Sequence, residues 1–166
     1  MSLAHPDTFP HGLVPPKAAA LFIELKPPFG DDQALLEADR CLVCGGPDAL
    51  APCAVACPAL VDVPHFVDAV AHGDWEGAAD LIFRSNLLGA SCARVCPTEE
   101  LCEGACVLTR QGRRPIEIGR LQRYATDMAL RNPWSTFRTP APTTGKRVVV
   151  IGAGAAGLVC AGELAI

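Results

Sequence analysis

Between Cys41 and Pro58 the sequence reads CLVCGGPDALAPCAVACP, four cysteines within seventeen residues, the last followed by proline. A second group, SCARVCPTEELCEGAC, fills residues 91 to 106 with four more and again contains a Cys-Pro pair, and Cys160 makes nine. What such thiols do depends first on the compartment. The N-terminus, MSLAHPDTFPHGLVPP, lacks a basic start followed by an apolar core, so no secretory signal is expected, and no apolar run reaches membrane-spanning length. Fourteen Lys plus Arg against eighteen Asp plus Glu give a net charge of −4 without any basic run. That balance argues against nucleic-acid and anionic-membrane surfaces and for small molecules and protein partners. A cytoplasmic chain is expected, and in a reducing cytoplasm grouped cysteines are metal-binding or catalytic rather than a disulfide framework. With one Tyr and two Trp beside fifteen Gly and fifteen Pro, aromatic packing is scarce, and such a domain gains from a metal core.

The first group has the spacing C-x2-C-x8-C-x3-C-P, and the second, from Cys96, has C-P-x4-C-x3-C. Zinc takes four tetrahedral ligands, usually as two CxxC-type pairs, and only one such pair is present. A cubane iron–sulfur cluster also takes four thiolates, and in two-cluster ferredoxin runs the cysteine before proline ligates the other cluster. If that crossing holds here, Cys41, Cys44 and Cys53 share one cluster with Cys106, while Cys57, Cys96 and Cys102 serve a second. The eighth ligand is then Cys92, four residues before Cys96, or a group that is not cysteine; spacing alone favours Cys92.

Outward from these groups the chain reads as mainly helical. Residues 1–30 carry six prolines and are expected to form an extended arm, with a short helix around 17–25. Asp31 and Asp32 open a helix whose stripe of Ala34, Leu35, Ala38 and Leu42 delivers Cys41 and Cys44. A second helix opens near Asp62 to Pro64 and runs through Phe66, Val67 and Val70 to Gly73. A third opens at Asp74, with Ala78, Ala79, Leu81, Ile82 and Phe83 toward the core, and a fourth runs from Pro115 to Arg131. Residues 132–145, NPWSTFRTPAPTTG, read as a linker. The simplest expectation for Cys92 and Cys160 is that of small buried hydrophobes. His5, His11, His65 and His72 form no pair at ligand spacing. Arg94, Arg120 and Arg123 are expected as solvated helix-face charges beside the proposed ligands.

The motifs EADRCLVC, ACP, DVPHFV, GASCARVCPTEELCEGAC and PIEIGRLQRYATD together resemble the N-terminal iron–sulfur domain shared by the small subunit of bacterial glutamate synthase and by dihydropyrimidine dehydrogenases. The resemblance covers roughly residues 33 to 166. It implies a helical domain with two 4Fe–4S clusters, one on Cys41, Cys44, Cys53 and Cys106 and the other on Cys57, Cys96 and Cys102. In the dihydropyrimidine dehydrogenase branch a glutamine in a Gly-x-Leu-Gln helical motif completes the second site, which here implies Gln122 in Gly119-Arg120-Leu121-Gln122. One departure is the eight residues between Cys44 and Cys53, where the family more often has about four; a loop extension whose ends stay in place costs little.

KRVVVIGAGAAGL, from Lys146, has the strand, glycine loop and helix start of a dinucleotide site. Gly152 allows the tight turn, Gly154 lets a pyrophosphate approach the backbone, and Gly157 permits close helix–strand packing, with Ala155 and Ala156 between them. The resemblance makes this the FAD site of a following domain. An acidic ribose ligand, expected about twenty residues beyond the loop, does not follow within the 166 residues, so the sequence is expected to be a fragment that holds no FAD tightly by itself.

These readings predict a mainly α iron–sulfur domain over 1–131, a linker over 132–145, and over 146–166 the first βα unit of a truncated Rossmann-like FAD domain. The implied function is electron transfer in an NAD(P)H-dependent flavoprotein oxidoreductase, between FAD and a catalytic FMN-bearing subunit or domain of the glutamate synthase or dihydropyrimidine dehydrogenase type. A structural docking module held by non-cycling clusters and a two-zinc binding module are the rival expectations.

Overall fold

A computed structural model of the chain describes residues 26–46, 50–132, 134 and 142–166. The expected short helix around 17–25 lies outside them, as does part of the expected linker. Eight helices occur among the described residues: α1 (Asp31–Ala38), α2 (Pro52–Val55), α3 (Val63–Ala71), α4 (Trp75–Ser85), α5 (Gly89–Val95), α6 (Val107–Arg110), α7 (Ile118–Arg131) and α8 (Ala155–Ala165). None of these is long and apolar enough to cross a membrane.

Local chemistry explains several helix boundaries. Asp31 and Asp32 place negative charge at the start of α1, where the helix dipole favours it, and the Gly30 amide donates to Gln33 Oε1 at 3.2 Å. Helix α3 carries Pro64 in its first turn and stops at Gly73, whose φ of +74° suits a residue without a side chain. Asp74 then caps α4 by accepting from the Gly77 amide at 2.9 Å. The hairpin of α3 and α4 packs on α7, with α1 against α3 and α5 against α7.

The core lies where these helices meet. Phe66, Val67, Val70, Ile82 and Leu121 are fully enclosed, and Trp75 meets Tyr124 edge to face at 5.3 Å between ring centroids. The Tyr124 hydroxyl donates to Asp31 Oδ1 at 2.9 Å and so fastens α7 to α1.

Several sequence expectations need correction. Leu42 is 55% exposed, because α1 ends at Ala38 and the apolar stripe stops with it. Pro115 does not open the last helix; α7 begins at Ile118 with Glu117 as its cap. The cause is a salt-bridged strut. Arg40 donates to the carbonyls of Arg114 at 2.6 Å and Pro115 at 3.4 Å, and the Glu117 amide donates to Glu37 Oε1 at 2.9 Å, so residues 114–117 stay non-helical. The run 146–151 takes no strand here, and Val149 and Ile151 are 83% and 95% exposed. A strand exists only through hydrogen bonds to a neighbouring strand, and no strand is present among the described residues. Without a sheet beneath it α8 has no buried residue, and Cys160, expected inside, is exposed.

Candidate metal centre

The two Cys-Pro pairs mark places where the chain leaves a helix. A cysteine at i+4 would share a helix face with one at i, yet Cys57 lies beyond the end of α2, which carries Cys53. Proline at 58 drives the preceding residue away from helical backbone, so Cys57 is released from the face that Cys53 occupies. Cys96 repeats the arrangement: it ends α5 with ψ 138° and Pro97 follows. Cys106 in turn caps α6, and its thiol is buried.

Cys41, Cys44, Cys53 and Cys106 line one cavity, so the structure brings together the end of α1, the loop behind it, α2 and the residue before α6. The remaining wall is aliphatic, with Val63, Val67, Leu108, Ile116 and Ile118 among its lining residues. Burial pushes the Cys41 thiol up, against the Val43 amide that donates to it, and nearby Cys44 and Cys106 add to the rise. Cys53 is pushed up to about 11, chiefly by burial and then by Cys41 and Cys106. Val43, between Cys41 and Cys44, sits at φ +44°, a left-handed conformation that costs a β-branched residue energy and bends the chain round the cavity.

Cys57, Cys96 and Cys102 form a second neighbourhood. Burial raises the Cys96 thiol first, followed by Cys92 and Cys57. Cys102 is pushed up to about 12 by burial, then by Glu103 beside it and by Cys57. Cys92 is half-buried rather than enclosed, and Asn86 Nδ2 donates to its sulfur at 3.3 Å. Gln122 lies on α7 against the start of α5, the helix that ends at Cys96, and its Nε2 donates to the Gly89 carbonyl at 2.8 Å. All nine cysteines are free thiols.

The four thiols of the first cavity fit an iron–sulfur cluster by the chemistry of their donors. A cubane takes four thiolates, and four thiols line this cavity. The first site provides a complete thiol set from the chain's own residues. The second neighbourhood brings together Cys57, Cys96 and Cys102, with Cys92 hydrogen-bonded to Cys96.

Comparison with known proteins agrees with this donor chemistry. The family model described as dihydropyrimidine dehydrogenase domain II, 4Fe-4S cluster, matches residues 18–134. The chain belongs to this iron–sulfur domain family. Over 136 residues, 81% of the chain, it is 46% identical to the NAD-dependent dihydropyrimidine dehydrogenase subunit PreT of Escherichia coli K12, of which it covers 31%. Over 143 residues, 86% of the chain, it is 39% identical to the glutamate synthase (NADPH) small chain of the same organism and 36% identical to that of Azospirillum brasilense, covering 29% of each. The chain thus spans less than a third of the length of these relatives.

The iron–sulfur domain also contains groups that sequence reasoning missed. Glu37 and Glu103 are both more than nine-tenths buried, and each accepts from a backbone amide at the start of α7. Their partners lie far along the chain, so no local pattern signals them. Arg120 and Arg123 are not solvated as expected: Arg120 stacks 3.7 Å over the Phe29 ring and donates to the Pro27 carbonyl at 3.0 Å, and Arg123 donates to the Lys26 carbonyl at 3.3 Å. Arg94 pairs with Asp127 at 2.6 Å. His65 and His72 are exposed and sit beside Asp62 and Asp68, while His5 and His11 lie outside the described residues.

At the glycine loop Gly152 adopts φ +111° and Gly154 caps α8. A Cβ on Gly157 would stand 2.1 Å from the Gly152 carbonyl oxygen, so the loop closes on the helix only because position 157 has no side chain.

Proposed function

We propose that this chain is the electron-transfer iron–sulfur part of an NAD(P)H-dependent flavoprotein oxidoreductase, and that it holds two 4Fe–4S clusters. The observation that carries this reading is the cavity ringed by four thiols from both cysteine groups, in a chain of the iron–sulfur domain family. Cys41, Cys44, Cys53 and Cys106 would hold one cluster and Cys57, Cys96, Cys102 and Gln122 the other. When bound, each cluster supplies a site that gains and loses one electron. The protein's share is to fix the ligands, exclude water through Val63, Val67 and Leu108, and set the polarity around the sulfurs.

Residues 1–131 form the iron–sulfur domain in this reading, 132–145 a linker, and 146–166 the opening of an FAD domain in which Gly152, Gly154, Ala155, Ala156 and Gly157 cradle the pyrophosphate. Strand 146–151 would then pair within the full sheet, which accounts for a β-branched run left exposed here. The relatives' names support a nicotinamide donor, NAD for PreT and NADPH for the glutamate synthase small chain. The electron acceptor is a catalytic FMN-bearing subunit or domain, and the compartment is the cytoplasm, where eight ligating or adjacent thiols stay reduced.

Anaerobic reconstitution tests this. About eight iron and eight acid-labile sulfide per chain, with two EPR signals appearing on reduction, are expected. About four of each, or bound zinc, would contradict the two-cluster reading, and clusters silent at strongly reducing potentials would favour a docking role without electron transfer.

A further inference from the structure

The first N–H groups of any helix lack partners within it. In α7 neither of the two that matter here is served by the helix itself. Glu117 makes no side-chain cap; instead its amide donates to Glu37 Oε1, and the Gly119 amide donates to Glu103 Oε1, each at 2.9 Å. The two carboxylates come from different segments of the chain. Glu37 lies in α1, four residues before Cys41, whereas Glu103 directly follows Cys102. Negative charge at a helix start is favourable, so each carboxylate both fills an orphan donor and complements the dipole.

Their surroundings differ in a telling way. Glu37 is neutralised by Arg40 at 2.5 Å and Arg114 at 2.7 Å and belongs to a strut between α1 and the loop before α7. Glu103 reaches α7 at a close approach: a Cβ on Gly119 would stand 3.0 Å from Thr98 Cγ2 and 3.4 Å from Glu103 Oε1. Three residues beyond Gly119, and so on neighbouring helix faces, is Gln122. The Gly89 carbonyl can only accept, so its 2.8 Å contact requires the Gln122 nitrogen on that side and leaves Oε1 as the outward atom of the amide. Gly89 packs closely on α4, where a Cβ would meet Ile82 Cγ2 at 2.5 Å.

We propose that Glu103 is a positioning residue for Gln122: by holding the Gly119 amide it fixes the height and rotation of the first turn of α7, so that the Gln122 amide, turned by Gly89, presents its oxygen to the second cluster. This couples the residue after one thiol ligand to the placement of the single non-thiol ligand, and it rests on the reading of Gln122 as that ligand.

The test compares Glu103→Ala, Glu103→Gln and Gln122→Ala in the reconstituted holoprotein, by EPR of the reduced clusters, iron content and far-UV circular dichroism. Glu103→Ala is expected to lose or shift the second-cluster signal while the first-cluster signal and the helicity are unchanged. Glu103→Gln, which keeps an oxygen acceptor for Gly119, is expected to restore the signal. An unchanged second signal in Glu103→Ala beside its loss in Gln122→Ala overturns the positioning role. Loss of both signals together in Glu103→Ala also overturns it, because that marks a general role in folding, and so does a Glu103→Gln protein as defective as Glu103→Ala. If Gln122→Ala itself leaves the second signal intact, the ligand reading has failed first and separately.

Discussion

The cavity of Cys41, Cys44, Cys53 and Cys106 is walled by valine, leucine and isoleucine, whereas the groove that Cys96 lines also contains Arg94, Thr98, Glu103 and Arg123. Both neighbourhoods draw their thiols from the same two stretches of chain, and a proline after Cys57 and after Cys96 turns the backbone out of its helix. Their difference lies in what surrounds and completes them. In the proposed arrangement a four-thiolate, apolar site holds more negative charge than a site of three thiolates and a neutral amide beside cations, so the second should have the higher reduction potential.

The largest effect should come from the ligands themselves. Cys44→Ala is expected to remove the first cluster and Cys102→Ala the second, each lowering iron from about eight to about four per chain, with a different EPR signal surviving. Equal damage to both signals by either substitution would erase the distinction between the sites.

Leu108→Ala should come next. Leu108 is 1% exposed and lines the first cavity, so the truncation is expected to destabilise the domain by about 2–5 kcal/mol and to make the first cluster the more labile in air. Thermal unfolding and the rate of bleaching measure the two parts. Glu37→Ala strips the start of α7 of one acceptor and leaves Arg40 and Arg114 without their shared carboxylate, for an expected loss of about 1–3 kcal/mol. Both clusters should survive at low temperature, because Glu37 fastens the strut rather than a ligand.

The smallest change sharpens the comparison most. Gln122→Cys adds a negative charge to the second site, and a potentiometric titration should show that cluster's potential falling toward the first. A rise would mean that hydrogen bonding and burial, not ligand charge, set the order.

Features with local causes were legible in the sequence. Asp31 and Asp32 at a helix start, Gly73 at a helix end and Asp74 as a cap could be read because each acts within one turn of its own position. The cysteine spacing likewise pointed to metal chemistry without any tertiary knowledge. What escaped was long-range. Glu37 and Glu103 look like surface charges in a string of letters and prove buried only when α7 is placed on them. Arg120 reads as a helix-face charge until Phe29 lies beneath it. Leu42 follows the period of α1 but falls beyond its end, and the run 146–151 has strand chemistry with no strand beside it among the described residues.

The crossing of the chain between the two sites is tested most directly by EPR of reduced Cys53→Ala and Cys57→Ala holoproteins, two cysteines only four residues apart. Cys53→Ala should abolish the first-cluster signal alone and Cys57→Ala the second alone. Loss of the same signal in both would show that the first cysteine group is a single cage, contrary to the arrangement proposed.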